Sequence, residues 1–82
     1  MIIKYPLSTE KTIRMMESDN TLVFIVDKNA SKSQIKEALQ SLYGVKIVRV
    51  NTAIDSKARK KAFVKFSSET PALDLATQLG IM

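Results

Sequence analysis

The amino-acid sequence predicts an α+β fold: a small mixed, mostly antiparallel sheet of three to four strands with helices packed on it, a sandwich of the split β-α-β type. Three features carry this expectation. Leu22-Val23-Phe24-Ile25-Val26 is β-rich and apolar on both alternating faces, the pattern of a central strand covered on each side. Ser31 and Gln34 form a capping-box pattern, after which Ile35, Ala38, Leu39 and Leu42 recur at i, i+3, i+4 and i+7 until Gly44 supplies a stop. Residues 45–54 and 61–67 are strand-like and separated only by Asp55-Ser56-Lys57-Ala58-Arg59-Lys60, so an antiparallel hairpin is their natural pairing.

Taken from the start of the chain, Pro6 ends a short extended segment, and Ser8 is positioned to cap a helix running to about Glu17. The apolar strand follows, then the capped helix and the hairpin. Thr70 is expected to cap a last helix with Pro71 at its first position, Ala72, Leu75, Ala76 and Leu79 as its apolar stripe, and Gly80 closing it. In this order the apolar strand and the first hairpin strand run parallel through a right-handed crossover, and the second hairpin strand can insert between them. The capped helix and the last helix then share one face of the sheet. With 82 residues and 45% apolar composition, one core and one domain over residues 1–82 are expected.

Alternation assigns Val48, Val50 and Ile54 to the core face with Ala62, Val64 and Phe66, and turns Arg49, Asn51, Lys61, Phe63 and Lys65 the other way. The second set is basic around one aromatic. Residues 46–65 hold seven basic side chains against the single acid Asp55, whereas the rest of the chain carries six basic and seven acidic ones. Such placement points to an RNA surface: lysine and arginine neutralise phosphates and release counterions, and Asn51 can hydrogen-bond a base edge or sugar. Phe63 is placed either to stack on an unpaired base or to pack beneath the first helix. Lys57, Arg59 and Lys60 add charge at the hairpin turn.

Other chemistries find little support. The chain has no cysteine and no histidine, which removes disulfides, thiolate metal sites and imidazole bases. It shows no glycine-rich phosphate loop and no nucleophile paired with a base, and its hydroxyls at Ser8, Ser31 and Thr70 are better used as caps, so no enzyme, cofactor, metal or small-molecule substrate is expected. The longest apolar run is far too short for a bilayer, and Met1-Ile2-Ile3-Lys4 lacks a signal-peptide core, so the expectation is a soluble intracellular protein with no membrane partner. Met15 and Met16 are read as gap fillers against the sheet, and Lys32, Lys36 and Gln40 as a solvated helix stripe. Glu10 and Arg14 are spaced to pair on the first helix, for only about 0.3–0.5 kcal/mol.

Several segments, in order, resemble the large-subunit ribosomal proteins of the L-twenty-three family in their short archaeal form. They are Ile3-Lys4-Tyr5-Pro6-Leu7-Ser8-Thr9-Glu10-Lys11, Ser31-Lys32-Ser33-Gln34-Ile35-Lys36-Glu37-Ala38, Leu42-Tyr43-Gly44-Val45-Lys46-Ile47, Val50-Asn51-Thr52, Lys60-Lys61-Ala62-Phe63-Val64-Lys65, and the ending Leu79-Gly80-Ile81. The resemblance implies a cytoplasmic, ribosome-bound protein without an active site. It would bind ribosomal RNA beside the exit of the nascent-polypeptide tunnel, next to another small ribosomal protein. It further implies docking of the signal recognition particle and nascent-chain chaperones, a role carried over to Glu10 and to the corner formed by Tyr43 and Gly44. For RNA contact the matching positions are Lys11, Asn51, Thr52, Lys60, Lys61 and Lys65. Phe66 stands where the family pattern has leucine, and the six residues from Asp55 to Lys60 are too few to reach into a tunnel wall, at about 3.3–3.6 Å per extended residue.

The competing reading is a free RNA-recognition motif. Arg59-Lys60-Lys61-Ala62-Phe63-Val64-Lys65-Phe66 matches much of that module's basic and aromatic strand signature, but Lys60 stands in place of its glycine and Lys61 in place of a stacking aromatic.

Overall fold

A computed structural model describes residues 2–80; the end of the last resembling segment, Ile81, lies outside them. The chain alternates strand and helix as β1 (Ile3–Pro6), α1 (Glu10–Asp19), β2 (Thr21–Val26) and α2 (Lys32–Tyr43), then forms a hairpin from β3 (Ile47–Ile54) and β4 (Lys60–Phe66), and closes with α3 (Ala72–Gln78). The four strands make one sheet in the order β1-β2-β4-β3. As expected, β4 inserts between β2 and β3. The parallel relation of those two strands therefore exists only across β4, and every hydrogen-bonded pair is antiparallel. Pro6 is tolerated because β1 is an edge strand, where one missing donor breaks no ladder on the open side.

One face of the sheet carries the main core. Leu22, Phe24 and Val26 from β2 join Ala62, Val64 and Phe66 from β4, and α2 and α3 cover them with Ile35, Leu39, Ala72, Leu75 and Ala76; Met16 of α1 belongs to the same cluster. Val23 and Ile25, on the opposite face of β2, lie outside that cluster and are still almost fully buried, so the central strand is enclosed on both sides as its sequence predicts.

Caps fix where helices begin, and two begin differently from the sequence expectation. The cap of α1 is Thr9, not Ser8: its hydroxyl accepts from the Thr12 backbone N–H while the Thr12 hydroxyl accepts from the Thr9 N–H, a reciprocal pair that Ser8 is one residue too early to make. At α2 the Ser31 and Gln34 box forms as predicted, and Gly44 ends the helix in the left-handed region (φ 64°). Thr70 does not cap α3. Its hydroxyl instead accepts from the Lys46 backbone N–H, Pro71 takes the cap position, and the Ala72 N–H donates to Asn20 Oδ1 at 2.6 Å. A remote side chain thus supplies the cap.

Three core assignments also change. Val48 is 59% exposed and Ile47 only 8%, because a β-bulge between Ile47 and Arg49 shifts the register and aligns Ile47 with Phe66. Ile54 follows the core-side alternation but lies opposite Lys60 in the last pair of the hairpin, beside the turn, and is exposed. Leu42 is 63% exposed, its place on the helix stripe taken by Tyr43, which packs against the core.

Candidate nucleic-acid interface

Strand register decides which side chains share the face opposite α2 and α3. Thr21, Lys65 and Arg49 form one row across β2, β4 and β3; Val23, Phe63 and Asn51 form the next; Ile25, Lys61 and Ala53 form the third, extended by Tyr5 on β1. The five residues that alternation turned away from the core, Arg49, Asn51, Lys61, Phe63 and Lys65, are therefore brought together. Arg49 and Asn51 are exposed, while Lys61, Phe63 and Lys65 are half-buried.

The electrostatics of this face are unbalanced. Arg49 and Lys65 are direct cross-strand partners, and like charges directly opposite one another destabilise an antiparallel pair. Among the described residues no carboxylate pairs with Arg49, Lys61 or Lys65. A groove of about 500 Å³ opens beside them, lined from α1 by Met15 and Asp19 and from the sheet by Thr21, Arg49, Asn51, Phe63 and Lys65, among others. Lys11, exposed on α1, is placed four residues before Met15 and eight before Asp19, on the same helix stripe.

The hairpin turn is a closed structure. Asp55 Oδ1 accepts from the backbone N–H groups of Lys57 and Arg59 at 2.9 Å each, its own N–H donates to the Arg59 carbonyl, and its Oδ2 accepts from Arg59 Nε at 2.8 Å. The Arg59 backbone N–H foremost, then the Arg59 side chain and the Lys57 N–H, hold the Asp55 carboxyl below the usual carboxylate range. Arg59 Nη1 also lies 3.4 Å from the Tyr5 hydroxyl, and this contact, ahead of Asp55, raises the guanidinium further above its normal value. Part of the Arg59 charge is thereby committed within the fold, and the exposed Lys57 is the free cation of the turn among the described residues.

Two predicted residues lie on the other face. Lys60 is in register with Val26 and Ile54, and its ammonium donates to the Ala30 carbonyl at 2.6 Å and to that of Lys28 at 3.5 Å, so it ties the β2–α2 connection to the hairpin. Thr52 pairs with Ala62 on the core side, although it reaches the rim of the groove. The docking candidates are far apart in the chain and belong to different ends of elements. Glu10 opens α1 and accepts from Arg14 Nη2 at 2.7 Å, the predicted pair, with both side chains exposed. Tyr43 and Gly44 form the C-terminal corner of α2 and border a separate cleft against Pro71, Asp74 and Leu75.

Tyr5, Met15, Asp19 and Thr21 were not among the predicted site residues. Alternation along β2 puts Thr21 on the Val23 face, but Tyr5 needed the pairing partner of β1, and Met15 and Asp19 needed the position of α1 beside the sheet.

Comparison with known proteins gives a consistent answer. The family model described as "Ribosomal protein L23" matches residues 1–73. The protein named "Large ribosomal subunit protein uL23" from Trypanosoma brucei brucei is 47% identical over 81 residues, covering 99% of this chain and 49% of that protein. "Large ribosomal subunit protein uL23B" from Caenorhabditis elegans is likewise 47% identical over 81 residues, with 99% of this chain and 56% of that protein covered. The chain spans about half the length of the curated relatives it matches.

Proposed function

Because the chain belongs to the ribosomal protein L23 family, we propose that it is a structural constituent of the large ribosomal subunit, bound to ribosomal RNA through the open face of its sheet. The observation that carries this reading is the register pairing of Arg49 with Lys65, flanked by Lys61, with no carboxylate to compensate them among the described residues. Two cations held opposite one another cost stability in the free protein, and an RNA phosphate between them turns that cost into attraction. Its role is architectural, and no catalytic step is assigned to it.

In that setting Arg49, Asn51, Lys61, Phe63 and Lys65 form the central contact, with Lys57 and Arg59 at the turn and Lys11 at the helix rim. Lys60 contributes by tying the hairpin to the β2–α2 connection, and Thr52 lies at the rim of the groove. The family resemblance supports a location beside the nascent-polypeptide tunnel exit and next to a small ribosomal protein, and hence in the cytoplasm on ribosomes. It supports Glu10 and the corner of Tyr43 and Gly44 as the docking points for the signal recognition particle and nascent-chain chaperones. The closed turn between β3 and β4 fits anchoring on the subunit surface rather than insertion into the tunnel wall. The whole chain acts here as one domain.

Fractionation of cell extracts tests the proposal. The protein should sediment with large subunits and remain there through a moderate-salt wash. Recovery in the free pool alone would overturn it.

A further inference from the structure

The groove between α1 and the open face has more structure than phosphate binding requires. Its lining combines the half-buried Phe63 ring and Met15 of α1 with the amide of Asn51, the carboxylate of Asp19 and the cations of Arg49 and Lys65. Asp19 has no cation partner among the described residues although two cations line the same groove, so its carboxylate remains available to accept hydrogen bonds. A volume of about 500 Å³ exceeds that of one nucleobase and is too small for a helical stem.

We infer that this groove receives a single unpaired nucleobase extruded from the bound RNA, stacked on Phe63 beside Met15, with its sugar-phosphate held by Arg49 and Lys65. The inference rests on the RNA-binding reading and specifies what the face takes. Stacking is tolerant of sequence because every base has a π-face, so discrimination falls to the edge groups. Asp19, an acceptor only, favours guanine, whose N1–H and exocyclic amine can both donate to one carboxylate, over adenine, cytosine and uracil, which each present a single donor site on that edge. Asn51 can donate and accept, and so adapts to each.

The test compares two RNA hairpins with the full-length protein, one with a fully paired stem and one identical except for a single bulged 2-aminopurine, following affinity by anisotropy and the bulge by its own fluorescence. The bulged stem should bind about tenfold more tightly, in line with the weakening seen when one base stack is removed by alanine substitution. The 2-aminopurine signal should rise as the base leaves the helical stack. Phe63→Leu should abolish the advantage of the bulged stem over the paired stem; Asn51→Ala, at an exposed position that cannot disturb the core, should reduce the same advantage. Among natural bulges guanosine should bind most tightly, and Asp19→Asn should narrow that gap. Equal binding of the two stems with unchanged fluorescence overturns base capture and leaves the RNA surface standing. Failure to bind either stem overturns both.

Discussion

At Asn20 a left-handed backbone (φ 51°) ends α1, and the side chain then reaches across the molecule. Its amide nitrogen donates to the carbonyls of Phe66, Ser67 and Thr70, and its oxygen accepts from the Ala72 N–H, so one residue stops a helix, gathers the β4–α3 connection and starts α3. Asn20→Ala places an alanine in the left-handed region and removes the remote cap, and should cost roughly 2–4 kcal/mol in urea unfolding; Asn20→Gly, which keeps the backbone conformation, should cost less. Asp55 couples stability to pH. Its folded pKa is depressed, so its contribution is fully present above the unfolded value of about 3.9 and is lost as pH falls through the folded value. Asp55→Asn keeps the acceptor for the turn and removes the ionisation. Urea midpoints compared from pH 5 downward should show a shallower acid decline in that variant than in the parent.

Among the elements, β3 shows how one inserted residue sets what a strand presents. The bulge at Val48 lets Ile47 enter the core and still keeps Arg49 and Asn51 on the open face, which strict alternation from Ile47 would not allow. Val48→Ala should therefore change stability by less than about 0.5 kcal/mol. Ile47→Ala should cost about 2–3 kcal/mol by creating a cavity against Phe66. A denaturant titration of the two variants distinguishes the bulged register from the regular one. The bulge also twists an eight-residue edge strand that would otherwise offer a flat template to another chain. Capping at α2 was legible from Ser31 and Gln34, since both partners lie within one turn. The start of α3 was not, since its cap comes from a residue 52 positions earlier.

Across the whole molecule the layers divide the work: α2 and α3 stabilise one face, and on the opposite face the hairpin strands β3 and β4 are left to carry charge. That division implies opposed effects of substitution. Replacing Arg49, Lys61 and Lys65 together by Gln should raise the thermal midpoint of the free protein at low salt, by relieving repulsion. The same change should reduce the salt dependence of RNA binding by up to about 0.9 in log–log slope for each duplex phosphate no longer neutralised. Thermal scans and binding isotherms at two or more salt concentrations read both effects. A variant that binds RNA with the parent's slope would exclude this face as the RNA-binding surface.

The element order, the enclosed central strand, the capped helix and the alternation that collects Arg49, Asn51, Lys61, Phe63 and Lys65 are all written in the chain, because they depend on periodicity and on partners within a few residues. Other outcomes emerge only on folding: Lys60 serves the β2–α2 connection, and Val48 stands outside the core. Folding likewise places Tyr5, Met15 and Asp19 beside the open face. These depend on strand register and on where α1 lies against the sheet, and neither is encoded in local spacing: register is set by the sum of cross-strand packing and by a bulge, and helix placement by contacts between residues distant in the chain.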